Sequence, residues 1–159
     1  MHRYHATVTW SRGADTFLGQ RYSRGHTWRF DEGVEVPATA SPLHVKAPWH
    51  VTRAVDPEEA LVAATSSCHM LFFLSFASAA GFTVDAYEDS AETVMGKDEA
   101  GREMLTEFIL RPLVTFRERA PSEEEFMAMH HKAHEECYVA NTLKSVVRCE
   151  PVIKLVPGS

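Results

Sequence analysis

The chain is poor in cysteine, with three in 159 residues. An odd number of widely spaced cysteines does not form the disulfide framework of a small secreted protein. A reducing cytosol fits better, and there a disulfide is usually transient and functional. The N-terminus, Met1-His2-Arg3-Tyr4-His5, lacks the apolar core of a signal peptide, so export is not indicated. Basic runs are missing, and the formal net charge is -6. A mildly acidic chain repels phosphate backbones, which makes nucleic acid a poor partner. Internal repeats and low-complexity tracts are also absent. Apolar residues make up 45% and charged residues 24%, ordinary for one globular domain or one subunit of a compact dimer.

One absence is local. From Ala60 to Val84 there is no Asp, Glu, Lys or Arg. The stretch is long enough to span a bilayer. Its middle, Thr65-Ser66-Ser67-Cys68-His69, is polar and reactive, and no basic flank marks a cytoplasmic end. A buried helix of a soluble protein is the better reading. Asp56-Pro57-Glu58-Glu59 supplies a cap, a first-turn proline and a capping-box acid. Gly81 supplies the stop. A helix apolar on nearly all sides belongs at the centre of a fold. One small domain hardly covers such a helix, and dimerisation is the economical solution.

The rest reads as strands and two further helices. His5–Trp10 alternates like a strand, and Arg21–Phe30 reads as a strand pair broken at Gly25. Residues 37–56 hold Pro37, Pro42 and Pro48 and read as a long loop: a lid, a dimer arm or an insertion. Thr83–Val94 and Met104–Arg117 read as two long strands joined by a polar turn at Gly96–Arg102. Ser122 caps a helix that runs to about Cys137, and a short helix follows at about 139–144. The last strand carries Val147, Cys149, Ile153 and Leu155, with Pro151 making it an edge or bulged strand. The order predicts an α+β fold with helices packed on an antiparallel sheet.

Two thiols stand out. Cys68 has hydroxyls and an imidazole beside it in a charge-free segment, where unpartnered polar groups are costly, so this stretch is expected to face a pocket. An inert core cysteine is the plain alternative. Cys137 sits where one helix ends, and amides of a new helix starting there would favour its thiolate. Spacing alone leaves open whether the two sulfurs meet. Cys149 reads as a core residue on an apolar strand face. His130, His134 and Cys137 share one helical face, a spacing that can bind zinc, with His69 and Cys68 as candidate further ligands. No Glu follows the first His as in zinc proteases, and a solvated or half-buried face is the competing reading. A thiol that attacks peroxide needs a guanidinium to hold it as thiolate and a carboxylate to hold the guanidinium; Arg29 and Glu58 are candidates.

The run from Asp56 to Cys68 resembles the central-helix signature of the organic hydroperoxide resistance and osmotically inducible protein C families, Ohr and OsmC. It has a Pro-Glu pair, small residues, and a reactive Cys ten positions after Glu58. Ala79-Ala80-Gly81-Phe82 matches the helix exit. Ala133–Val147, with Cys137, Asn141 and Leu143, resembles the segment bearing the second Cys. Arg29-Phe30 before an acidic-Gly turn is similar to the segment that supplies the active-site Arg. The resemblance implies an intertwined homodimer with long central helices and active sites at the interface. It also implies a peroxidatic Cys68, a resolving Cys137, an organic hydroperoxide substrate and a lipoyl-type dithiol reductant, with no metal or organic cofactor and a cytoplasmic location. The stretch between Arg29 and Glu58 is longer than in the family pattern, which leaves Arg21, Arg24 and Arg53 as alternatives. Tyr138 stands where relatives often have Pro. The alternative to a peroxidase is a protein of this fold that binds a metal or a small molecule.

Overall fold

A computed structural model describes residues 1–158. The chain divides into two compact units, residues 1–60 and 61 onward.

The first unit carries a three-stranded antiparallel sheet of β1 (Ala6–Thr9), β2 (His26–Phe30) and β3 (Glu35–Ala38), with β2 central. Two expectations need correction. Residues 21–25 are not a strand, because Arg24 bonds locally to the Gln20 and Tyr22 carbonyls and holds a turn. Conversely, β3 runs through Pro37 to Ala38. Pro37 is tolerated because β3 lies at the edge of its sheet. The loop after it is tied at its neck. Val55 N–H donates to the Pro37 carbonyl, Thr39 N–H donates to the Val55 carbonyl, and Thr39 Oγ1 accepts from Val51 N–H. A segment closed in this way is a compact surface loop rather than a free arm.

The second unit is built around helix α1 (Pro57–Ala79), which starts at the end of the first unit. Both ends form as the sequence predicts. Asp56 Oδ1 accepts from Glu59 N–H at 2.8 Å while Glu59 Oε2 accepts from Asp56 N–H, a reciprocal cap. At the other end Gly81 has φ +81°, Gly81 N–H bonds Ser78 O, and Phe82 N–H bonds Ala77 O, the pattern of a left-handed glycine stop.

The two long strands expected after α1 are each broken in two. β4 (Thr83–Asp89) and β5 (Glu92–Lys97) come from the first, β6 (Glu103–Leu110) and β7 (Pro112–Arg117) from the second, and β8 (Val146–Cys149) and β9 (Val152–Val156) from the last. All three breaks lie at one level. There Asp89 Oδ1 accepts from Arg111 N–H, Glu150 N–H donates to Leu110 O, and Arg111 pairs with Glu92. The ladder therefore folds into two sheets, ordered β4-β7-β9 and β5-β6-β8. Residue-by-residue alternation continues across each break, so the sequence pattern does not reveal it.

The expectation of an antiparallel sheet is also corrected. β6–β8 and β7–β9 are parallel pairs. Parallel neighbours need a long crossover, which α2 (Glu123–Glu136) and α3 (Tyr138–Thr142) provide. Ser122 and Glu125 form the predicted capping box of α2.

The core of this unit joins Phe73 and Ala77 of α1, Phe82 just before β4, Val114 and Phe116 of β7, and Phe126 and Ala133 of α2. Within the chain α1 is not covered on all sides. Its buried residues are Thr65, His69, Phe73 and Ala77, one stripe at four-residue spacing. Leu71, on another face, is 62% exposed.

Asp89 joins α1 to the fold line, because its Oδ2 also accepts from Ser66 Oγ. Hydrogen bonds to a charged group are worth about 1.5–3 kcal/mol each. Asp89→Ala is expected to lower unfolding stability by about 2 kcal/mol or more, read as a lower urea midpoint at unchanged slope. A loss under 0.5 kcal/mol or so, within the scatter of surface substitutions, would show the fold line is held elsewhere.

Candidate functional site

Helix α1 turns Cys68 and His69 to adjacent directions, and each meets a different sulfur. Cys68 is half-buried and close to Cys137, which is fully buried at the junction of α2 and α3. The same contact continues one turn along, where the Phe72 ring meets Tyr138 edge-on at 5.2 Å. Both thiols are free.

Cys137 caps α3 through its sulfur, which accepts from Ala140 N–H at 3.4 Å. That amide favours the thiolate, as the sequence led us to expect. It does not prevail. Burial, and then the neighbouring Cys68 thiol, push the Cys137 thiol up to about 11. Cys137 is thus held as a neutral thiol beside Cys68.

The polar stretch around Cys68 does not face a single pocket. Thr65 Oγ1 donates back to Leu61 O at 2.7 Å, Ser66 donates to Asp89, Ser67 is exposed and His69 is buried. Helical geometry spreads these consecutive residues around the axis, so they do not share one environment.

The candidate arginine and glutamate belong to the first unit. Arg29 is exposed on β2, between Thr7 and Glu35. Glu58 is half-buried in the first turn of α1, and its Oε2 has no hydrogen-bond partner among the described residues. Ten residues of helix, roughly 15 Å, separate Glu58 from Cys68. Among the alternatives, Arg24 stacks on Tyr22 at 3.8 Å and bonds Gln20, whereas Arg21 and Arg53 are exposed.

The helical face of His130, His134 and Cys137 does not act as one set. Cys137 meets Cys68, His134 is half-buried, and His130 is fully buried against His69. His130 Nδ1 lies 2.9 Å from His69 Nε2, and the rings stack 9° from parallel. The third member is Cys149, whose sulfur is 3.7 Å from both nitrogens. Cys149 is therefore not a plain core residue. The signal for it was faint: one cysteine on an alternating strand, brought to the histidines only by the fold line.

Burial, and then His134, push His69 down to about 4, with Asp89 opposing. Burial, and then His69, push His130 down to about 3. Burial, and then the carboxylates of Asp89 and Glu150, push Cys149 up to about 12. Tyr87 is raised by burial, Cys149 and Asp89, and its hydroxyl has no partner among the described residues. The group is neutral at physiological pH.

Residues 50–151 match the family model described as OsmC-like protein. The chain belongs to the OsmC-like protein family. It is similar to an OsmC-like protein of unknown function from Vibrio cholerae, at 44% identity and TM-score 0.93, covering 96% of this chain and 100% of that one. It shares its fold with an OsmC-like protein from Mycoplasma pneumoniae, at 18% identity and TM-score 0.69, covering 98% of each chain. An organic hydroperoxide resistance protein from Elizabethkingia anophelis matches at 17% identity and TM-score 0.68, also covering 98% of each. No curated protein matches the sequence.

The buried histidines make a prediction for the metal-free protein. Their folded values lie below the ordinary 6.5, so the unfolded chain takes up protons first as the pH falls. The stability they permit is complete above about pH 6.5 and is lost progressively as the pH falls through about 4. Urea midpoints measured in chelator across that window should fall with pH, and His130→Phe should flatten the slope. A wild-type midpoint that stays level would contradict the buried neutral pair.

Proposed function

We propose that the protein is a cysteine peroxidase acting on organic hydroperoxides, with Cys68 as the attacking thiol and Cys137 as its resolving partner. The observation that carries this reading is the approach of the Cys68 and Cys137 thiols, from two different elements, in a chain of the OsmC-like family. A two-cysteine peroxidase needs a second thiol within reach of the sulfenic acid formed on the first.

The reaction balances as follows. The Cys68 thiolate attacks one oxygen of the hydroperoxide, the O–O bond breaks, and an alcohol leaves with a proton from the site. The Cys68 sulfenic acid then condenses with the Cys137 thiol, forming a disulfide and releasing water. A dithiol of lipoyl type reduces that disulfide by exchange. Burial suits Cys137 to this part. It stays protonated and inert to peroxide until the sulfenic acid forms beside it. Of the apolar residues that follow Cys68, Met70, Leu71 and Phe72 favour an organic peroxide over hydrogen peroxide, whereas Phe73 is buried in the core.

The reading makes the active protein a cytoplasmic homodimer, in which the uncovered faces of α1 pack against a second copy. Glu58 then serves the site of the other chain, because its own Cys68 is too far along the helix. In this reading Arg29 is the guanidinium that Glu58 positions for the reaction. The competing reading, a binding protein of this fold without strong peroxidase activity, predicts that Cys68 remains a thiol under peroxide.

The test is a peptide map of the reduced protein after brief exposure to stoichiometric cumene hydroperoxide. A rapid Cys68–Cys137 disulfide that Cys68→Ser abolishes is the expected result. Both thiols remaining reduced would sink the peroxidase reading.

A further inference from the structure

Three side chains, His69, His130 and Cys149, have no part in that chemistry, yet they converge on one point. His69 Nε2, His130 Nδ1 and Cys149 Sγ lie within 4.8 Å of one another. We propose that His69, His130 and Cys149 form a binding site for a divalent cation of the zinc class, with the fourth coordination position open to a small cavity.

The separations fit such an ion. Zinc takes nitrogen at about 2.0–2.1 Å and thiolate sulfur at about 2.3 Å. In tetrahedral geometry this places two nitrogens about 3.3 Å apart and nitrogen and sulfur about 3.6 Å apart. The observed separations are 2.9 Å between the nitrogens and 3.7 Å from sulfur to each. Opening the ring pair by about 0.4 Å makes room for the ion. Two imidazoles and one thiolate are a ligand set that zinc accepts and that magnesium and calcium do not.

Packing alone does not account for these residues. Both imidazoles are about 1% exposed. His130 lies between Phe73, stacked at 4.0 Å, and Phe126, edge-on at 4.6 Å. Phenylalanine would fill such a place without burying polar atoms. As it is, His69 Nδ1 and His130 Nε2 have no partner among the described residues. Two rings are thus desolvated for one shared hydrogen bond, which is a poor return on polar burial. The nitrogens that do face each other face the thiol as well.

Access and charge complete the picture. A cavity of about 160 Å³ reaches His130 and Cys149 and is lined also by Met127, His131, His134 and Val147. It gives an ion a way in and leaves room for water as fourth ligand. Asp89 and Glu150 lie near enough to Cys149 to oppose its ionisation, and the same negative field attracts a cation. Proton balance is simple. The facing nitrogens share one proton in the neutral pair, and on binding both present lone pairs, with ring protons at His69 Nδ1 and His130 Nε2. Cys149 gives up its thiol proton, so one proton is released for each ion bound.

Titration of the full-length, chelator-treated, reduced protein with Co²⁺ tests the site. One ion per chain should bind, with the visible bands of tetrahedral cobalt and a sulfur-to-cobalt charge-transfer band. Cys149→Ala should abolish the charge-transfer band and weaken Zn²⁺ competition by at least about tenfold, the least that even outer ligand changes produce. Cys68→Ala should leave both unchanged. X-ray absorption of the zinc-loaded wild type keeps the test independent of any variant, and should find two imidazole nitrogens and one sulfur. A charge-transfer band lost with Cys68 and kept with Cys149→Ala would overturn the proposal. So would a shell without sulfur, or no stoichiometric binding.

Discussion

The second unit depends on one stripe of one helix. Thr65, His69, Phe73 and Ala77 are what α1 buries against the sheet and α2. Phe73 is the anchor: it contacts His130, Phe126 and Tyr87, so a single ring ties α1 to α2 and β4. Burial of a large aromatic is the strongest single contribution a side chain makes to a small core. Because the stripe has four-residue spacing, it also fixes the rotation of α1 about its axis. That rotation decides where Cys68 and His69 point.

The stripe also explains the lack of charge in α1. A helix buried on one face alone normally carries charges on the other. This one carries none between Ala60 and its end. By length and composition it is apolar enough to cross a membrane, yet it starts with a reciprocal cap and ends in a glycine stop inside a folded unit. Apolar faces left uncovered by the chain itself are the mark of association, and they give the homodimer reading a physical basis.

Much of this was legible in the sequence, for identifiable reasons. Helix ends were readable because caps are local: Asp56 with Glu59, Gly81, and Ser122 with Glu125 each act over three or four residues. Cys68 and Cys137 were singled out by the resemblance to the family, but spacing alone could not show that they lie close together. The strand breaks were not legible, because Ser90, Arg111 and Pro151 lie far apart in sequence and align only once the ladder forms. The parallel pairings were hidden for the same reason. Cys149 was misread because its partners, at positions 69 and 130, come from two different helices, and no local pattern links them.

The three cysteines then sort by what surrounds each sulfur. Cys137 has a helix amide on one side and Cys68 on the other, in a fully buried place. Cys149 has two neutral imidazoles and, farther off, the carboxylates of Asp89 and Glu150. A thiolate is the nucleophile in any reaction with peroxide. The negative field at Cys149 opposes that thiolate unless a cation arrives to balance it. So the surroundings that make Cys149 a fitting metal ligand also keep it out of thiol redox chemistry. Cys68 and His69, neighbours in sequence, are turned apart by about 100° of helix. That single step of rotation separates the proposed thiol pair from the proposed coordinating group within one turn of α1.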